Sequence, residues 1–358
     1  MMTAKGPLQA CYVADPKLLM CCDAVPIIRH RACLTHSLIT AYGLLDKLKV
    51  IPSVSASEEE VRKFHSEEYV DFLKTAEANK EDVSEDEFGL GFDCPVLENM
   101  WMIVKQIAGG TLTAARALVS RETNIAINWC GGWHHAQRDS ASGFCYVNDV
   151  VLGILELRTK FDKILYIDLD IHHEKSANRR RRESGTANRQ GSTVHFSIAI
   201  HMAIFPTGYS PFLPSLLSSA STLYNLCEVY MPDAIVCQCG ADVISGDPLG
   251  GANVTPEGFK SAIRHVLNLN KPTLFLGGGG YNKINAAKLW TSITASILNM
   301  SLSPEIPEHQ YFPHYGPSFE LEVTAGLRKS ENTEKTLDDT IRNVHYNIEH
   351  LAVLLGKK

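Results

Sequence analysis

Asp168-Leu169-Asp170-Ile171-His172-His173 sets two carboxylates and an imidazole at alternate positions behind the apolar run Ile164–Ile167. Alternate side chains of a strand share a face, so Asp168, Asp170 and His172 point the same way if the strand continues through them. Two carboxylates and an imidazole held that close repel one another or resist desolvation unless a cation joins them. Asp170 and His172, with Asp242 from another strand end, would offer two oxygens and one nitrogen to a divalent metal. A position for water would stay open, as catalytic zinc centres require. The plainer alternative is a His- and Asp-rich turn at a strand end.

Two further groups could join that chemistry. His134-His135 follows Gly131-Gly132-Trp133, and the glycines permit close backbone approach. The histidines are open to three readings: metal ligands, general bases or solvated turn residues. Tyr281 follows Gly277 to Gly280. No Gly-Lys-Ser/Thr follows that run, so it is no phosphate-binding loop, and a tight turn presenting the phenol is the simpler reading. Neither a GxSxG elbow nor a Cys/His signature points to a covalent nucleophile.

These groups need a scaffold, and four short apolar runs supply one: Ile125–Trp129, Ile164–Ile167, Ala234–Cys237 and Thr273–Leu276. None alternates polar with apolar, which predicts strands of a parallel sheet covered by helices on both faces. Ligand and catalytic groups of such sheets gather at the carboxyl ends of the strands, and all four runs end in the residues named above. Ser57-x-x-Glu60 predicts a capping box. Leu337, Ile341, Val344, Ile348 and Leu351 predict a C-terminal amphipathic helix with Thr336 as its N-cap.

Composition bounds the rest. With 358 residues, 45% hydrophobic and 21% charged, the chain can bury a large core, and whole-chain disorder is excluded. A net charge of -6 gives no global field for nucleic acid, so no direct nucleic-acid partner is expected, while a cationic tail would be compatible as substrate. Met1 to Ala10 lacks the apolar core of a signal peptide, no apolar run is long enough to cross a bilayer, and no membrane partner is expected. Ten scattered cysteines without a CxxC pair suit reduced thiols in the cytosol or nucleus. Arg179 to Arg182 reads first as a solvated charge run.

At these residues the chain resembles the class I zinc-dependent histone deacetylases. The matching blocks are GLGFDCP (89–95), NWCGGWHHAQRDSASGFCYVNDVVLGIL (128–155), ILYIDLDIHH (164–173), QCGADVISGDP (238–248) and LFLGGGGYN (274–282). The resemblance implies one deacetylase domain over residues 10–358, of the arginase/deacetylase α/β fold: a central parallel sheet flanked by helices on both faces. It implies zinc, or another divalent transition metal such as iron, on Asp170, His172 and Asp242, and a structural potassium ion. His134 and His135 match the paired acid/base histidines, Asp168 the carboxylate behind His134, and Tyr281 the tyrosine that polarises the substrate carbonyl. Asp93 matches a rim aspartate that holds the substrate backbone, Gly143 and Phe144 the tunnel wall, and Arg31 an inner arginine. The implied activity is hydrolysis of N6-acetyl-lysine in histone tails and other proteins, hence chromatin regulation and transcriptional repression, in nucleus and cytoplasm.

Residues 174–226 depart from the family pattern. Lys175 stands where the family has the aspartate that orients the second catalytic histidine. The family's Phe-containing tunnel loop has only a weak match in Ile204 to Gly208, and the strand before it is not recognisable. Those losses motivate the alternative of a pseudo-deacetylase acting as a binding or scaffold protein. A hydrolase of acetylated polyamines is a third reading.

Overall fold

The computed structural model describes residues 10–78, 87–172, 197–201, 220–327 and 333–357. Glu174, Lys175, the arginine run 179–182 and the loop 204–208 lie outside the described residues.

Among the described residues seven strands form one sheet: β1 (Cys11–Val13), β2 (Lys49–Ile51), β3 (Ile125–Asn128), β4 (Ile164–Asp168), β5 (Ser197–His201), β6 (Ala234–Gln238) and β7 (Thr273–Leu276). Their order is β2-β1-β3-β7-β6-β4-β5, and every neighbouring pair is parallel. The four strands expected from the apolar runs are its centre. Two strands on one side of them, β1 and the edge strand β2, were not expected. The segment 174–226 does supply a strand, β5, in register with β4 from Ile164↔Ser197 to Asp168↔His201.

The described helices are α1 (Pro16–Asp23), α2 (Arg31–Ala41), α3 (Glu58–Arg62), α4 (Glu67–Thr75), α5 (Met100–Val119), α6 (Asp149–Leu157), α7 (Ala220–Tyr230), α8 (Pro256–Asn268), α9 (Lys283–Ile297) and α10 (Glu334–Leu354). Strand side chains divide between two cores, as alternation requires. Ala126, Tyr166, Val236 and Leu274 pack with Leu18, Val70, Ile107 and Val150 from α1, α4, α5 and α6. Ile127, Leu165, Ile235 and Phe275 pack with Tyr230, Ile263, Trp290 and Ile348 from α7 to α10. Helices on both faces explain why β3, β4, β6 and β7 carry almost no polar side chain before their last residue.

The capping box of α3 forms as expected, with Ser57 accepting from the Glu60 N–H and Glu60 from the Ser57 N–H. At α10 the cap is Thr333, and Thr336 is the third helical residue, which bonds back to the Thr333 N–H. The expected N-cap was therefore displaced by one turn. Both residues are threonines with the same capping chemistry, and the helix extends one turn further out than its apolar stripe.

Register aligns the chemistry. Asn128 pairs with Leu276, Gln238 with Leu276 and Asp168 with Gln238, so β3, β7, β6 and β4 all end at one level. The turns that follow face one another across the carboxyl edge of the sheet.

Candidate active site

Strand β4 ends at Asp168, and the next residues do not continue its alternation. Asp168 Oδ1 accepts the Asp170 N–H at 3.1 Å, and Asp170 Oδ1 accepts the His172 N–H at 3.0 Å. Each aspartate turns the backbone two residues on, which a short carboxylate side chain favours. The expectation of three side chains on one strand face is corrected accordingly. Asp170 and His172 converge with Asp242, while Asp168 turns to His134.

Asp170, His172 and Asp242 each offer a ligand atom, all within 4.8 Å of one another. His172 Nδ1 is 2.8 Å from Asp242 Oδ2 and 3.4 Å from Asp170 Oδ1. Both carboxylates are buried, at 1% and 0% exposure. Asp170 Oδ2 is held by the Gln238 amide and the Gly279 N–H, each at 2.8 Å, which fixes the carboxylate and leaves Oδ1 facing the cluster. Burial and the Asp170 charge push the Asp242 carboxyl up, and the two carboxylates push the His172 imidazole up to about 10. Two facing carboxylates with so little water are more negative than their setting supports. A divalent cation relieves that conflict, and a set of two oxygens and one nitrogen suits zinc or a similar transition metal. The residues therefore fit the metal. Of the implied potassium site, the carbonyls contributed by the segment after His172 lie outside the described residues.

Opposite this cluster sit the paired histidines. His134 Nδ1 is 2.8 Å from Asp168 Oδ2, which also accepts the Tyr166 hydroxyl at 2.8 Å. His134 Nε2 is 3.1 Å from His135 Nε2. Burial, then the adjacent His134, lower the His135 pKa to about 3, so its ring stays neutral.

The turn carrying this pair is anchored by a residue that composition and spacing did not reveal. Buried Asp149, at the start of α6, accepts the Gly132 N–H at 3.0 Å, the Trp133 N–H at 2.7 Å and the Thr111 hydroxyl. Burial pushes its carboxyl up to about 6. Asn148 caps α6 through the Val151 N–H and donates to the carbonyls of His134 and Ala136. Its own N–H is accepted by His65 Nε2 at 3.0 Å. An acid and an amide opening an apolar helix were the available signal.

A narrow tunnel reaches these groups between Phe144 and Tyr281, whose ring centroids are 5.6 Å apart, with Gly143, Trp133 and Ile27 in its lining. Phe144 and Gly143 both have positive φ, 66° and 53°. A Cβ at Gly143 would stand 2.6 Å from the His135 ring, so only glycine fits. Burial, then Asp170 and Asp242, raise the pKa of the Tyr281 hydroxyl, keeping it a donor. At the rim, exposed Asp93 accepts the Gly143 N–H at 3.0 Å. Behind the tunnel Arg31 is buried, donates to the Gly280 carbonyl at 2.9 Å and lies 4.9 Å over the Trp290 ring. All eleven residues singled out in the sequence thus line or adjoin one tunnel.

Comparison with known proteins gives the family. The Histone deacetylase domain family matches residues 26–208 and 182–297. The chain is 38% identical to Histone deacetylase 8 of Xenopus tropicalis, over 95% of this chain and 98% of that protein. It is 36% identical to Histone deacetylase 8 of Danio rerio, over 95% of each. Histone deacetylase 9 of Arabidopsis thaliana is 35% identical over 91% of this chain and 81% of its own length.

Proposed function

Since this chain belongs to the histone deacetylase family and is a lysine deacetylase, we propose that it hydrolyses N6-acetyl-lysine in histone tails and other proteins with zinc held by Asp170, His172 and Asp242. The observation that carries this reading is the facing of two clusters across one tunnel foot: three ligand atoms within 4.8 Å, and two imidazole nitrogens 3.1 Å apart.

The metal would supply a Lewis acid for the acetyl carbonyl and for the attacking water. The acetyl-lysine side chain enters between Phe144 and Tyr281 with its backbone held at Asp93. The neutral His135 ring takes the proton of the water. The proton passes across the 3.1 Å Nε2–Nε2 contact to His134, which, with Nδ1 held by Asp168, is the better placed of the two to carry positive charge, and which returns it to the lysine nitrogen as the amide C–N bond breaks. The Tyr281 hydroxyl donates to the carbonyl oxygen as negative charge develops there, a contribution that grows toward the transition state. Acetate and the free lysine amine are the products. Arg31 keeps the Gly280 turn, and with it Tyr281, in place from behind.

Chromatin regulation and transcriptional repression, in nucleus and cytoplasm, extend the proposal through the family's name. The ten free cysteines, most of them buried, suit a reducing compartment. The scaffold-only alternative is not favoured by membership of an enzyme family. The test is turnover of an acetyl-lysine peptide by zinc-loaded protein. Acetate release that Asp242→Asn abolishes supports the reading, and folded, zinc-bound protein without turnover overturns it.

A further inference from the structure

Beside the tunnel mouth runs an open groove of about 550 Å³, lined in part by Arg29, His30, Pro248, Tyr281, Lys283 and His314. Tyr281 lines both, and the tunnel's Ile27 and Ile28 run directly into Arg29 and His30 of the groove, so the groove adjoins the tunnel. Four of these residues can carry positive charge, and among the described residues no carboxylate lines the groove. Among the described residues none of the four is in an ion pair. Asp247, beneath it, spends its oxygens on the N–H groups of Leu249, Gly250, Tyr281 and Asn282 and is buried. The cations are fixed from separate elements: Arg29 and His30 precede α2, with His30 at φ 70°, Lys283 opens α9, and His314 lies in the short turn Phe312–Tyr315. In a chain of net charge -6 this is a local reversal of sign. The opposite wall of the mouth carries exposed Asp93 on the Phe144 side. The rim is therefore polarised.

We propose that this groove reads the substrate chain beside the acetyl-lysine and favours acidic residues there. The inference rests on the deacetylase reading and shifts its substrate from cationic histone tails toward acidic segments of other proteins. A substrate seated in the tunnel must pass its flanking residues over the rim. Asp or Glu in the groove would meet Arg29 and Lys283, whereas Lys or Arg would meet like charge.

The test is fluorescence anisotropy of two labelled acetyl-lysine peptides, one with aspartates and one with lysines on both sides of the acetyl-lysine, binding the zinc-loaded full chain. The acidic peptide should bind about five- to tenfold tighter, the scale of two exposed charge pairs, and the preference should shrink as salt is raised. Lys283→Glu and Arg29→Glu should each reduce the preference, and together reverse it. Both sites tolerate the change: Arg29 is exposed, and an acid in the first turn of a helix is favourable. Equal binding of the two peptides, or a preference that survives both substitutions, overturns the proposal. Turnover of a single-residue acetyl-lysine amide, too short to reach the groove, reports separately on the deacetylase reading. Its absence would count against that reading and leave the binding comparison to decide this one.

Discussion

His134 Nε2 and His135 Nε2 lie 3.1 Å apart, with the Asp168 carboxylate on the far nitrogen of His134. If His134 keeps a proton on Nδ1 against Asp168, the contact between the two Nε2 atoms needs one further proton, carried by either ring. The pair is then one proton-holding unit. His134→Ala and His135→Ala should each lower kcat by about 10² to 10⁴, the usual range for a general acid or base. The double variant should lose little more than the worse single one, because members of a unit are not additive. Steady-state kinetics on an acetyl-lysine peptide would check this, and multiplicative losses would show two independent groups.

Asp149 does not itself line the tunnel, yet it holds the turn from which His134 projects. Asp149→Ala leaves the buried N–H groups of Gly132 and Trp133 without their acceptor. Each such orphan costs about 1 to 3 kcal/mol, so urea unfolding should show a loss of about 3 kcal/mol, and kcat should fall as His134 loses its footing. Asp149→Asn keeps one acceptor oxygen and should lose less of both. A variant as stable and active as the parent would mean that the turn holds its shape without this anchor.

The site was more legible in the sequence than its supports. Asp170 and His172 follow the short apolar run Ile164–Ile167 at alternate positions, and Asp242 and Tyr281 follow glycine-containing turns behind two more such runs, so titratable groups there stand out. Asn128 and Gln238 end β3 and β6 fully buried, and they read as the fading of an apolar run when they are working hydrogen-bond partners. Asp149 and Asn148 look like ordinary capping residues until the fold brings Gly132 and His134 against them. Strands β1 and β2 have three residues each, too few for periodicity to register, and their strand character comes from pairing with distant neighbours. Asp168-x-Asp170-x-His172 misled in one respect: spacing implies a shared face only while the strand lasts, and the aspartates themselves end it.

Part of the acid sensitivity should trace to His65, a buried histidine away from the metal cluster. Its buried ring accepts the Asn148 N–H at Nε2 and contacts the Arg138 carbonyl through Nδ1 at 3.3 Å. Burial lowers its pKa from 6.5 to about 4. A depressed pKa contributes stability that is complete above pH 6.5 and is lost as pH falls through about 4. The drop corresponds to about 3 kcal/mol. His65→Gln keeps an acceptor and a donor without the titration. Plotted against pH, the difference in unfolding free energy between parent and variant should slope between pH 6.5 and 4 and be flat above. A flat difference throughout would clear His65 of this role.

Gly279 tests the metal cluster without removing a ligand. A Cβ there would overlap Asp242 Oδ2 and stand 3.0 Å from Asp170 Oδ2, between the two buried carboxylates. Gly279 donates its own N–H to Asp170 and has no positive φ to defend, so the conflict is purely one of space at the carboxylates. In the parent, zinc at a hundredfold excess over its Kd should stabilise the fold by about 2.7 kcal/mol, and a chelator should remove that gain together with activity. In Gly279→Ala the carboxylates must move apart, and zinc affinity by calorimetry should fall about 10- to 100-fold, the range seen when the supports of a metal ligand are disturbed. At the same zinc concentration the gain in stability should then fall to about 0.4 to 1.4 kcal/mol, and the thermal shift on adding zinc should shrink in proportion. Parent-like zinc affinity in this variant would mean that Asp170 and Asp242 are not held where the metal needs them, and would send the search for its ligands elsewhere along the tunnel.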